Sequence, residues 1–222
     1  TNLEFTCDNP AMVVEIGSIS LQNVAGGNHM VMKHSLYSLA DRGDNYYEFD
    51  GLTDYASISE ARQTSLDMGT KWSSVAIIRA DSDGLSASKW SAGQRSWQAA
   101  RTQSNRRIAT FWSHNGSTNS TAATNVNTVP AYPWTDYICI GMSWDAGTTT
   151  FYMNGVNKPT TLTIINGTTI FDSTAPTELG RDDLATAYFD GRLGKQVLWN
   201  GVALSALQHR QVFQILRTEY GI

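Results

Sequence analysis

Ser143-Trp-Asp-Ala-Gly-Thr-Thr-Thr-Phe-Tyr-Met-Asn-Gly155 reads as a strand end, a tight turn, a second strand and a second tight turn. Upstream, Ile138, Ile140, Met142 and Trp144 alternate with other residues, so they share one face of a strand. Asp145-Ala-Gly147 supplies a bend, because glycine accepts positive φ and aspartate bonds its own backbone. Thr148 to Met153 is β-branched and aromatic, which suits a pleated, half-buried surface. Asn154-Gly155 is the dipeptide of a type I′ hairpin turn, and Val156 starts a third strand. A three-strand antiparallel meander needs further sheet to cover it.

Outward from this hairpin, other pieces fall into order. Tyr47-Glu-Phe-Asp-Gly-Leu-Thr-Asp-Tyr55 precedes it. Glu178-Leu-Gly-Arg181, Phe189-Asp-Gly-Arg-Leu-Gly-Lys-Gln-Val-Leu-Trp199 and Ala203-Leu-Ser-Ala-Leu207 follow it. Together with Trp144-Asp…Asn154-Gly155 they resemble the laminin-G-like, concanavalin A-like jelly rolls from about residue 45 to the C-terminus. The resemblance implies an all-β jelly-roll β-sandwich and brings the two Phe-Asp-Gly triplets, at Phe49 and Phe189, close together. Lys89-Trp-Ser-Ala-Gly-Gln-Arg-Ser-Trp97 is most similar to variants found in bacteriophage particle proteins. That implies a non-enzymatic virion component, a capsid decoration or tail-associated protein made in a host cytoplasm. A carbohydrate-binding adhesion module, which would be extracellular, and a polysaccharide-degrading enzyme are the alternatives.

The residues themselves bound these readings. A chain of 222 residues can bury a sizeable core without disulfides. Charged residues make up only 16% and the net charge is −4. This speaks against nucleic acid as a partner, since phosphate neutralisation needs clustered cations, and Arg101 to Arg107 is the one mild cluster. No apolar run reaches the roughly 18 residues that suggest a membrane span. No leader pattern is visible, and Thr1 is compatible with removal of an initiator Met. The cysteines, Cys7 and Cys139, are expected as free thiols, with Cys139 on the face opposite Ile138 and Ile140.

Short strands with frequent turn residues fill the middle of the chain, with Asn115 to Asn127 as a long rim loop and Thr168 to Phe171 as a strand. At the end the period changes. Ser205 and Gln208 fit a capping box, and His209, Val212, Phe213, Leu216 and Tyr220 share one helical face. A helix over Ala206 to Glu219, packed on the sandwich edge, is expected. Residues 1–44 lie outside the resemblance and are read as an arm, with 45–222 as the sandwich domain. Its apolar residues, among them Phe5, Val13, Val14, Ile16, Ile19 and Leu21, are too many for a solvated tail. The arm is therefore expected to add strands to a neighbouring subunit or to dock on a capsid or tail surface, in a homo-oligomer expected to be a trimer.

For chemistry, Glu48 and Asp50 share a strand face as a glycosidase pair would, but the relatives' Glu-x-Asp-x-x-Glu pattern ends here in Thr53, so catalysis is not expected. Asp81 and Asp83 are loop carboxylates of the kind that join a Ca²⁺ shell, and many laminin-G-like domains bind Ca²⁺ at the rim. Aromatic rings stack on sugars, which makes Trp90, Trp97, Trp112 and His114 the candidates for binding surface polysaccharide. Trp72, Trp144 and Trp199 are expected in the core.

Overall fold

A computed structural model describes residues 46–62, 66–182 and 187–222, together with the backbone of two strands nearer the N-terminus. Two antiparallel sheets face each other. Sheet A holds, in spatial order, β1 (Val13–Ile16), β16 (Asp190–Asn200), β5 (Lys71–Ala80), β11 (Ile138–Asp145), β12 (Thr148–Met153) and β13 (Val156–Lys158). β3 (Tyr47–Asp50) pairs with β16 as well. Sheet B holds β14 (Thr160–Ile164), β10 (Asn119–Thr124), β9 (Ile108–Gly116), β8 (Gln94–Thr102), β7 (Ala87–Ser91), β15 (Thr177–Leu179), β4 (Tyr55–Ile58) and β2 (Met30–Lys33), with β6 (Gly84–Leu85) on β8. The helix α1 (Ala206–Tyr220) follows the last strand. The expected all-β jelly-roll sandwich with a C-terminal helix is what the chain forms.

The opening hairpin behaves as its residues dictate. Asn154 and Gly155 both take positive φ, 51° and 72°. At the other turn it is Ala146 and Gly147 that do so, at 44° and 95°, while Asp145 still pairs with Thr148. The alternation of β11 sends Ile138, Ile140, Met142 and Trp144 into the space between the sheets. There they meet Trp72, Ala76 and Ile78 of β5 and, from sheet B, Trp97, Trp112, Ala122 and Leu179. The rings interlock: Trp72 stands 5.5 Å from Trp97, and Trp112 meets Trp144 edge-on at 5.9 Å. Phe49 and Phe189 meet at 5.7 Å because β3 pairs with β16, bringing the Phe-Asp-Gly triplets together.

Several expectations need correction. Asn115 to Asn127 is not one loop, for Asn119–Thr124 forms β10 on β9. Residues 168–171 form no strand, although the Phe171 amide donates to the Ser113 carbonyl at 2.7 Å. Trp199 is only partly buried, on the outer face of sheet A. The helix lies over that outer face, not at the sandwich edge. The strands of residues 1–44 are placed on their own chain. β1 sets Val13 opposite Trp199, Val14 opposite Leu198 and Ile16 opposite Gln196, and β2 pairs with β4. Each pairs within its own chain along one side and is the end strand of its sheet. Phe5, Ile19 and Leu21, and Cys7, lie outside the described residues.

Candidate ligand-binding face

The outer face of sheet A is occupied. Odd-numbered residues of β5 and β11, Val75, Ile77 and Cys139, point away from the core and form a second apolar cluster with Leu216 of the helix. Val212, Phe213, Tyr220, Tyr137 and Trp199 close around it. Cys139 is a buried free thiol, and burial pushes its pKa up to about 12, so it behaves as a small hydrophobe. Ser205 starts the helix with both halves of the capping box formed, and Gly221 ends it at φ 67°. Gly141 is needed for close approach: a Cβ there would come within 2.6 Å of His209 Nδ1.

His209 pins the helix down. Its ring stacks on Tyr152 at 3.9 Å, and its Nε2 lies 2.8 Å from Ser143 Oγ. The proton inventory fixes the roles. Ser143 donates to the Leu204 carbonyl and Ser73 to that of Val202, while the Leu204 amide donates to Ser73 Oγ. Ser143 Oγ is thus left to accept, so Nε2 carries a proton. Burial lowers the His209 pKa to about 4, so at neutral pH the ring is neutral and Nδ1 is the unprotonated nitrogen. Among the described residues no carboxylate bonds to Ser143 or His209, and the network ties the helix to sheet A.

The outer face of sheet B is different. Register alone places Ser57, Glu178, Ser88, Gln98, Phe111, Thr121 and Ile164 directly opposite one another across seven strands. Their chain neighbours Ala56, Leu179, Ala87, Trp97, Trp112 and Ala122 fill the core, so this row faces outward. The row is deep in the middle, where Glu178, Ser88 and Gln98 are buried, and half open at Ser57, Phe111 and Thr121. Arg181 grips Glu178 with two bonds, of 2.8 and 3.0 Å, and lies 3.3 Å over the Tyr55 ring. On the other side Arg101 lies 5.8 Å from the Phe111 ring. The buried Oε1 of Gln98 has no hydrogen-bond partner. Aromatic rings flanking a line of hydroxyl, amide and ionic groups can take a ligand that is apolar on one side and polar at its rim.

The tryptophans expected to bind sugar do not form this face. Trp97 and Trp112 are 0% exposed. Their indoles donate inward, to the Leu66 and Gly167 carbonyls. In β9 it is the neighbour Phe111, on the opposite side of the pleat, that reaches outward. Trp90 is 4% exposed, with the Arg95 guanidinium 5.8 Å from its ring. His114 is half-buried, packed where Gly167 leaves no room for a side chain. Phe111 and Gln98 were the residues sequence reasoning missed. The signal was the Phe111-Trp112 pair itself, since adjacent strand residues cannot both face inward.

The carboxylates are also distributed differently. Asp81 is paired with Arg79 at 3.7 Å and Asp83 is exposed. Among the described residues neither belongs to a set of three ligating side chains within reach of one ion. Glu60, Asp67 and Asp172 do converge, within 4.8 Å of one another. The fully buried ammonium of Lys89 reaches this group, 2.9 Å from Glu60 and bonded to Asp67. Burial raises the Asp67 pKa, with Glu60 and Asp172 adding to it and Lys89 opposing. Glu48 pairs with Arg192 at 3.2 Å. Asp50 accepts from Thr53 Oγ1 and from the amides of Leu52, Thr53 and Asp54; burial pushes its pKa up, but these bonds outweigh it and hold the carboxyl below the usual range.

Solved structures share this architecture. The botulinum neurotoxin type G receptor-binding domain is 12% identical with a TM-score of 0.60, covering 86% of this chain and 47% of its own. The binding domain of Paraclostridial Mosquitocidal Protein 1 is 11% identical with a TM-score of 0.65, covering 85% and 48%. The receptor-binding domain of botulinum neurotoxin mosaic serotype C/D is 10% identical with a TM-score of 0.62, covering 92% and 51%. At such identity the likeness is one of fold, and the chain spans about half the length of each. No curated protein matches the chain significantly. Residues 49–208 match the Concanavalin A-like lectin/glucanases superfamily (Laminin_G_3). With most strands of both sheets, both Phe-Asp-Gly triplets and most of the sequence inside that match, the chain belongs to the concanavalin A-like lectin/glucanase superfamily.

Proposed function

We propose that the chain is a non-enzymatic binding module that recognises surface carbohydrate through the outer face of sheet B. The observation that carries this reading is the row from Ser57 to Thr121, which sets Phe111 beside Gln98 and within one sheet of Tyr55, Glu178 and Arg181. A pyranose has an apolar C–H face and a rim of hydroxyls, and the row has a ring and a line of polar groups at matching places. The fold neighbours include a receptor-binding domain and a binding domain of other proteins, which supports a binding role. Absence of catalysis is favoured by Glu48 and Asp50, whose carboxylates are taken up by Arg192 and by a turn.

The same proposal places the module on a virion, as a capsid-decoration or tail-associated subunit. Its support is the resemblance of Lys89 to Trp97 to phage particle variants, a stretch that ties distant loops together here. Gln94 Oε1 accepts from the Thr174 amide, Arg95 donates to Ser117 O and Asn119 Oδ1, and Ser96 donates to Phe171 O. The test is a glycan array probed with wild type and Phe111→Ala. Binding by wild type that is lost in the variant, with no sugar released from the bound polysaccharide, is expected. Hydrolysis abolished by Glu48→Gln would instead establish an enzyme.

A further inference from the structure

We infer that the ligand of the sheet B face is an acidic saccharide, one bearing carboxylate or sulfate groups, held by Arg101 and Arg107 beside Phe111. This rests on the carbohydrate reading above and narrows it to a chemical class.

The placement follows from register. Arg101 of β8 stands opposite Ala109 on one side and Leu85 on the other, and Ala109 stands opposite Ala123, so Arg101 belongs to the outward row next to that of Gln98 and Phe111, with apolar residues opposite it on both sides. Arg107 precedes β9 by one residue, at the alternation of Ala109 and Phe111, and its carbonyl accepts from the Gln103 amide at 3.1 Å, which continues the ladder. Two cations therefore stand at one end of the candidate face.

Arg79, Arg181, Arg192, Lys71, Lys89 and Lys195 each stand against a carboxylate, while Arg95 and Arg106 bond to backbone or asparagine oxygens. Among the described residues Arg101 and Arg107 have no ion pair, and the Nε of each is buried without a hydrogen-bond partner. Beside them Gln98, 2% exposed, leaves its Oε1 unpaired. Buried polar groups are normally satisfied, and leaving one unmade is unfavourable. Three such groups, from adjacent positions of one face, are all completed by one ligand: hydroxyls for the amide of Gln98 and an anion for the two forks. A guanidinium pairs in bidentate fashion with carboxylate or sulfate, and its stacking near Phe111 holds it in place. A neutral sugar would leave both forks unpaired. A polyphosphate needs more cations than this end offers.

The experiment is calorimetric titration of the full chain with three hexasaccharides: a sulfated heparin fragment, an oligogalacturonate and neutral maltohexaose. At least one acidic probe is expected to bind more tightly than maltohexaose, more weakly as salt rises. The source of the anion is read from whether the sulfate or the carboxylate probe wins. Arg101→Gln with Arg107→Gln is expected to lower that affinity about tenfold or more at unchanged melting temperature. Arg101→Lys with Arg107→Lys is expected to keep the salt dependence but lose part of the affinity, which separates the fork from charge alone. If maltohexaose binds as tightly as the acidic probes and both double variants bind it normally, the acidic class is overturned while the carbohydrate face stands. If the acidic probes bind but neither the arginine variants nor Phe111→Ala weaken them, or if no probe binds, the inference and the face fall together.

Discussion

The two sheets of this sandwich present opposite solutions to the same problem. Each has an inner face of tryptophan and aliphatic side chains and an outer face that must meet something. Sheet A answers with Val75, Ile77 and Cys139 under Leu216, Val212 and Phe213, a helix seated by Gly141 and pinned through His209 to Ser143. Sheet B has Ser57, Ser88, Gln98, Phe111 and Thr121 in line, with arginines above two of its rings. An apolar outer face has been covered by the chain's own C-terminus. The polar outer face of sheet B, where Gln98 Oε1 and the Nε atoms of Arg101 and Arg107 have no hydrogen-bond partner, is the face proposed to meet a ligand.

The adjacent residues Phe111 and Trp112 give the strongest way to break this comparison, because they point to opposite sides of one strand. Trp112→Ala removes a fully buried ring packed on Trp144 and is expected to cost about 3–5 kcal/mol in chemical denaturation. A midpoint unchanged from wild type would mean that inner and outer faces have been exchanged.

The next effect concerns sheet A and pH. The His209 pKa falls from 6.5 to about 4 on folding, so the neutral ring is the form the fold favours. Its contribution is complete above about 6.5 and is lost as pH falls through about 4. At roughly 1.4 kcal/mol per unit this amounts to about 3 kcal/mol. His209→Gln should lose that part of the acid sensitivity, measured as the difference in unfolding free energy between neutral pH and acid. Equal acid sensitivity in both proteins would remove His209 as the pin.

Much of the molecule was legible because the deciding signals are local. Asn154-Gly155, the alternation of β11 and the Ser205–Gln208 box each lie within a few residues, and each formed as expected. The Phe49–Phe189 approach was legible only through family likeness. What escaped depends on long-range register. The row on sheet B joins seven strands, and irregularities at Lys89/Trp90, Arg95/Trp97 and Gln98/Arg101 change which residue faces which way. Composition could not say whether Phe111 or Trp112 faces inward. β10 hid in a Ser/Thr/Ala-rich stretch that resembles loop, and β1 pairs with the far end of the chain.

A smaller effect sharpens the other side of the comparison. Phe111→Ala should leave stability nearly intact and weaken glycan binding by about 1–3 kcal/mol, a scale taken from aromatic stacking of bases. A large loss of stability instead would make Phe111 a packing residue.

The most direct test of the central claim is to map the ligand. Backbone amide shifts should be followed by NMR while the oligosaccharide bound most tightly on the array is titrated into the full chain. Shifts concentrated at Ser57, Gln98, Phe111 and Thr121, with α1 unmoved, are expected. Shifts centred on α1 or on the loop around Asp81 and Asp83, with Phe111 unmoved, would contradict it.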